Sequence, residues 1–278
     1  MPKSLPPPDR PEPVFTYAAP TLVYGPGAIH DIAFHLRGCR RVLIVTDAGV
    51  AATGAVARVA AGLSVEVEIW DATHVEPTDE SLRAVGEHVR RTEWDAFIAV
   101  GGGSSIDTAK AANLLATNPG DLLDYVNVPI GGGRTPEHPL KPLIAVPTTT
   151  GTGSESTTIC VLDVLDRHVK TGISHARLRP TLAIVDPDLT ATQPPMVTAC
   201  AGLDILCHAL ESYTARPYTA FEAKTAEQRV PYCGANPVSD MWAEQALSLM
   251  ADAFVRAVRD GSDADARRNP PCRAPACR

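Results

Sequence analysis

Aromatic residues make up only 5% of this 278-residue chain, although 45% of it is hydrophobic. A core with so few rings must be filled by valine, isoleucine, leucine and alanine, which favours packed α/β layers over an aromatic-rich β-sandwich. A basic excess is also lacking: 25 Lys and Arg face 32 Asp and Glu, for a net charge of −7. That balance argues against a nucleic-acid partner, because neutralising a phosphate backbone takes a surplus of cations. Basic pairs such as Arg90-Arg91 and Arg267-Arg268 are too short to change this and read as solvated surface. No apolar run approaches the roughly 20 residues that cross a bilayer, so no membrane partner is expected. The seven cysteines are odd in number and include no C-x-x-C pair, which reads as reduced thiols. Residues 1–13 are proline-rich, without an apolar signal core or an Arg-rich amphipathic pattern. They read as a disordered leader on a cytoplasmic protein.

What the chain does have is alternation. RVLIVT at 41–46 is a β-branched run suited to a strand buried on both faces, followed by an Ala-rich helix over 50–63 and a strand over 65–70. Thr78, ahead of Asp79-Glu80 and an apolar-periodic stretch to Arg91, predicts a helix N-cap. A strand over 95–100, a helix over 104–117 and short strands at 143–146 and 183–185 continue the pattern. Strand and helix in turn argue for a parallel sheet covered by helices. Past 187–195 the strand signal stops. One long helix is predicted over 196–215 and a second over 238–259, with Pro237 in its first turn. The expected division is an α/β domain over 14–190, a helical portion over 191–268, and an irregular tail at 269–278 (NPPCRAPACR), whose composition resembles out-of-frame translation of a GC-rich gene.

Three segments carry chemistry. GGGSSIDTAK (101–110) leaves a buried strand and enters a helix; glycines allow close backbone approach, and the helix N-terminus offers free N–H donors to a phosphate. An unliganded tight turn would also use these glycines, and the G-x-G-x-x-G fingerprint is absent. PTTTGTGSE (147–155) gathers hydroxyls and glycines behind the next strand, suiting either a pyrophosphate contact or a solvent loop. GLDILCHALESY (202–213) places Asp204 and His208 four apart on one helix face, where they either stabilise the helix or hold one divalent transition metal. Asp47, at the tip of the 41–46 strand, is either a ribose-binding acid or a helix N-cap.

Together, in this order and spacing, these segments resemble the iron-containing alcohol dehydrogenase family from about residue 15 to about residue 269. HVKTGISH (168–175), LRPTLAIVDP (178–187), CGANPVSDMWAEQAL (233–247) and the extra segment 215–232 are most similar to its hydroxyacid–oxoacid transhydrogenase branch. The resemblance implies an α/β nucleotide domain with a parallel sheet, of dehydroquinate synthase-like fold, plus an incomplete all-helical domain, with NAD(P) between them. It implies pyrophosphate contacts from Gly102, Gly103, Ser104 and Asp107, and a nicotinamide and phosphate region lined by Thr148, Thr149 and Thr152. Lys170 would support the ribose, Asp47 the adenosine ribose, and Asp204 and His208 would be two of four ligands to Fe2+ or Zn2+. The implied substrates are a 4-hydroxybutyrate-like hydroxyacid and a 2-oxoglutarate-like oxoacid, with assembly into a homo-oligomer left open. Arg179 and Arg216 are the candidates for holding substrate carboxylates. The other two metal ligands of the family are histidines on later helices. Here every histidine except His208 falls within the expected α/β domain, ahead of residue 190, so a shortened form is expected, either of the enzyme or of an inactive nucleotide-binding remnant.

With partner helices missing, Leu203, Leu206, Leu210, Leu247, Met250 and Phe254 should be partly bare, each forfeiting roughly 1.5–3 kcal/mol of burial. Poor solubility is the expected outcome, checked by size-exclusion chromatography with light scattering; a monodisperse monomer with a cooperative melt contradicts it.

Overall fold

The computed structural model describes residues 8–230 and 232–268. Its frame is a six-stranded, all-parallel sheet: β1 (Thr21–Tyr24), β2 (Arg41–Val45), β3 (Glu66–Trp70), β4 (Ala96–Gly101), β5 (Leu143–Pro147) and β8 (Leu182–Val185), in the order β1-β8-β5-β4-β2-β3. β6 (Ile159–Val164) and β7 (Val169–Ser174) form a separate antiparallel hairpin. Strand residues alternate faces, so the β-branched runs feed two layers. Val42, Ile44, Ile98, Val100, Ile144, Val146 and Ile184 pack on one side against Val56 and Val59 of α3 (Ala55–Ala61). Leu43, Val45, Phe97, Ala99 and Ala145 pack on the other against α4 (Asp79–Val89) and α5 (Gly103–Thr117).

The remaining helices are short α1 (Ile32–His35), α2 (Ala48–Ala52) and α6 (Leu122–Tyr125), then long α7 (Pro195–Thr214) and α8 (Pro237–Arg259), and α9 (Ala264–Arg268). The single helix expected over 50–63 is two, because Gly54 adopts φ +81°, a left-handed conformation that ends α2 and starts α3. Thr78 caps α4 as its position predicts, in a reciprocal box with Ser81.

Two expectations need correction. Residues 8–13, expected within a disordered leader, are mostly exposed but hydrogen-bonded to the 221–229 segment: Glu12 N donates to Phe221 O, Arg10 O accepts from Ala223 N, and the buried Glu12 carboxylate accepts from the Lys224 and Val14 amides and from Arg229. Residues 1–7, like the 269–278 tail, lie outside the described residues. Arg267, read as surface, is buried. Its guanidinium donates to the carbonyls of Thr190, Gln193 and Gly261, so three backbone acceptors replace its hydration.

α7 and α8 lie against each other over small residues: Ala209, Ala243 and Ala246 are buried together, with Leu247 packed on them. Leu203 (52%) and Leu210 (45%) are exposed as expected, whereas Met250 (6%) is buried and was wrongly placed among the bare residues. Gly202 is fitted to Phe254: a Cβ there would lie 2.0 Å from Cε2 and 2.5 Å from Cδ2 of the ring. Gly202→Ala should therefore cost about 1–3 kcal/mol by overpacking, despite alanine's better helix propensity. Urea denaturation checks this, and an unchanged or raised midpoint would mean the helices are not held at this spacing.

Candidate active site

β4 and β5 are neighbours in register, with Gly101 opposite Pro147. The glycine turn and the threonine loop therefore leave the sheet side by side at its carboxyl edge, and Thr148 N donates to Gly101 O at 3.0 Å. After β2 the chain runs outward to β3 and returns to β4 on the other side of β2. That reversal opens a crevice, which in open α/β sheets is where ligands lie. Asp47 and the glycine turn flank it. Asp47 Oδ1 accepts from Val50 N at 2.9 Å and Oδ2 from Ser105 Oγ at 3.2 Å, so the helix-capping role read from the sequence is present.

Across the turn, a Cβ on Gly102 would approach Thr149 Oγ1 to 3.0 Å, and one on Gly103 would approach the Thr152 side chain at 3.0–3.1 Å. Only glycine leaves both contacts relaxed, and the first N–H groups of the 15-residue α5 stay uncovered by side chains. Ser104 Oγ accepts from Glu76 N at 3.2 Å. Thr148 is buried beneath the turn.

Asp107 plays a part the sequence did not reveal. Its Oδ1 accepts from Lys110 Nζ (3.1 Å) and Ser154 Oγ (2.5 Å), and its Oδ2 from Val161 N (2.9 Å). The carboxylate is thus committed to protein donors, and as an anion it repels a phosphate. It organises the glycine turn from beneath, and the pyrophosphate contact expected of it would have to compete with these three donors, although Asp107 also lines the cavity that reaches His208. Lys110 is fully buried, and its Nζ also donates to Ser154 Oγ, Thr157 Oγ1 and Ile159 O at 2.7–3.0 Å. Sequence reasoning does not single out Lys110, Ser154 and Thr157, because the bonds that join them span 44–47 residues. Cys160, beside them, is buried, which pushes its thiol well up and makes it core rather than nucleophile.

On α7, His208 Nε2 lies 3.4 Å from Asp204 Oδ1, and His208 Nδ1 lies 3.0 Å from Gly151 O. A carbonyl only accepts, so Nδ1 carries a proton in that bond, and in the neutral ring Nε2 presents its lone pair beside the carboxylate. Gly151 makes this approach possible: φ is +123°, and a Cβ would stand 2.4 Å from Ala201 O. The pair suits two corners of a divalent transition ion. Among the described residues no three His, Cys, Asp or Glu side chains converge on one point, so the ion's coordination is not completed.

One cavity of about 460 Å³ joins these parts: Gly103, Ser104, Asp107, Thr152, Lys170, Asp204 and His208 all line it. Lys170 Nζ sits 3.7 Å from Glu76 Oε1 at its rim. Asp47, Gly102, Thr148 and Thr149 do not line it. A second cavity, of about 400 Å³, meets the first at Thr157, Ile159 and His208.

Residues 19–187 match the family profile of the iron-containing alcohol dehydrogenases. The chain belongs to that family. Hydroxyacid-oxoacid transhydrogenase, mitochondrial, of Xenopus laevis is 44% identical over 261 residues, covering 91% of this chain and 56% of that protein. The Bos taurus protein of the same name is 44% identical over 263 residues, with the same 56% covered. This member of the family thus spans little more than half the length of the curated relatives it matches. Among solved structures, a 1,3-propanediol oxidoreductase superposes with a TM-score of 0.79 at 35% identity over 92% of this chain and 63% of its own. A sulfoacetaldehyde reductase of Bifidobacterium kashiwanohense, solved in complex with NAD+, gives 0.82 at 27% identity over 95% and 65%. The relatives' mitochondrial names overturn the expected cytoplasmic location. Unpaired thiols report a reducing environment, not which compartment supplies it.

Lys110→Met strips the Asp107 carboxylate of its buried cation and should cost about 3–5 kcal/mol. Adding Asp107→Asn in that background should restore part of the loss. Chemical denaturation of both variants checks this, and a single-variant loss under 1 kcal/mol contradicts it.

Proposed function

We propose that this chain is an oxidoreductase of the transhydrogenase branch, moving a hydride between a hydroxyacid and a 2-oxoacid through a nicotinamide dinucleotide held at the sheet's carboxyl edge. The observation that carries this reading is the shared cavity, with the α5 N-terminus at one end and the Asp204–His208 pair at the other. When bound, the nicotinamide ring accepts and returns the hydride, and a ferrous or zinc ion polarises the substrate oxygen.

The chain's own residues do the rest. Gly102, Gly103 and Ser104 leave backbone N–H groups open to the pyrophosphate. Thr148 and Thr149 shape the turn from the neighbouring strand end, and Thr152 faces the nicotinamide and phosphate region. Lys170 offers its ammonium to the ribose. Asp47, whose carboxylate also accepts from Val50 N and Ser105 Oγ, would take an adenosine ribose hydroxyl on its remaining lone pairs and repel a 2′-phosphate, which favours NAD over NADP. Asp204 and His208 supply two metal donors. A second reading, a nucleotide-binding chain without turnover, is favoured by the lack of a third converging donor among the described residues.

NADH should quench protein fluorescence on titration and bind at least about tenfold more tightly than NADPH. Gly103→Val, which thrusts a branched side chain against Thr152, should abolish that binding at a cost of about 1–3 kcal/mol in stability, with a cooperative melt retained. Metal analysis, together with deuterium transfer from a C-deuterated hydroxyacid to an oxoacid with catalytic NAD, separates the readings. NADH binding without transfer favours the second, and absence of NADH binding ends both.

A further inference from the structure

The second cavity has the character of a binding site for a small organic anion. Among its walls are Tyr17, Thr157, Thr158, Arg179, His208 and Trp242. Arg179 is half-buried between a short 3-10 turn (Ala176–Leu178) and β8. Its Nε donates to Ser156 O at 3.1 Å, which ties the guanidinium to the chain just ahead of Thr157 and Thr158 of this wall; the side chain also borders a smaller cavity of about 200 Å³. No carboxylate among the described residues pairs with it, although Arg41, Arg83, Arg134, Arg229 and Arg256 each have one. Burial without a counter-charge pulls its affinity for a proton below the ordinary guanidinium value, yet it stays charged.

A half-buried cation with its two terminal nitrogens uncommitted is costly unless something else satisfies it. Planar paired N–H donors match a carboxylate in two-point fashion. Arg216, the other candidate from the sequence, lies over the Phe221 ring at 4.6 Å, is bonded to Ala220 O and lines neither cavity. Glu211 also lines the second cavity, but it is exposed, one turn beyond His208 on α7.

We propose that Arg179 is the specificity-determining residue of this site, holding the substrate's carboxylate in the second cavity while the carbon to be oxidised or reduced lies at the His208 junction. This rests on the oxidoreductase reading above, and it adds which group selects hydroxyacids over plain alcohols. It also predicts polarity: the carboxylate end sits away from the dinucleotide cavity, which Arg179 does not line.

The test compares 4-hydroxybutyrate with 1,4-butanediol, the same chain without the charge, by calorimetry on the full-length protein. The wild type should prefer the acid by about tenfold to a hundredfold, the range expected for hydrogen bonds to a charged partner. Arg179→Gln should bring the ratio close to one, and Arg179→Lys should keep part of it, with NADH affinity unchanged in both. Equal binding of the two ligands by the wild type, or a preserved ratio in Arg179→Gln, overturns the proposal. If Arg179→Gln does not fold by its melt, the wild-type ratio and Arg179→Lys decide. Acid preference without NADH binding would instead sink the oxidoreductase reading and leave the anion site standing.

Discussion

The buried Lys110 ammonium is the constraint on which the site depends. A lone charge in the interior costs several kcal/mol, and only close, well-aligned partners offset it. Lys110 has four acceptors within 3.1 Å for its three protons: Asp107 Oδ1, Ser154 Oγ, Thr157 Oγ1 and Ile159 O. They come from α5, from the end of the threonine loop and from β6, so one cation fixes three elements at once. Ser154 accepts from Lys110 and donates to Asp107, which closes the network and leaves no lone donor. The placement of the α5 N-terminus, and with it the glycine turn, follows from this network beneath it rather than from the turn's own flexibility.

The sheet was legible wherever strands are buried on both faces, because continuous β-branched runs such as 41–45 have no other stable home. The hairpin β6–β7 escaped notice for the opposite reason. Its burial alternates, with Cys160, Leu162 and Val164 inward while Asp163 and Lys170 face out, and polar residues in so short a run read as loop. β1 escaped as a four-residue edge strand with one neighbour. The break between α2 and α3 hinged on a single glycine.

Legibility at the site followed the same division between local and tertiary information. The glycine turn and the Asp204–His208 spacing are contiguous patterns, visible in one dimension. That Asp107 is spent on Lys110, Ser154 and Val161 is not, since those partners lie up to 54 residues away. Arg179 could be named from sequence only as one of two arginines. Neither has a carboxylate partner among the described residues; what separates Arg179 from Arg216 is the cavity it lines, whereas Arg216 is bonded to Ala220 O and lies over the Phe221 ring, and both are properties of packing.

The seam between the sheet and the α7–α8 pair explains why the chemistry gathers where it does. Sheet-borne loops can be held rigidly by networks such as that of Lys110, but they present mainly backbone donors, which suit phosphates. Side-chain donors such as a carboxylate and an imidazole have to project from a second body, and α7 carries Asp204 and His208 one turn apart. On the proposed reading the junction between the bodies must be held closely, because a misplacement of about 1 Å is enough to slow a transfer strongly. Gly151 meets that demand: its missing side chain lets the loop touch the α7 backbone at Ala201, and its carbonyl orients the His208 ring. A single glycine thus sets both the spacing of the two bodies and the direction in which Nε2 points, so geometry across the seam is controlled from the sheet side.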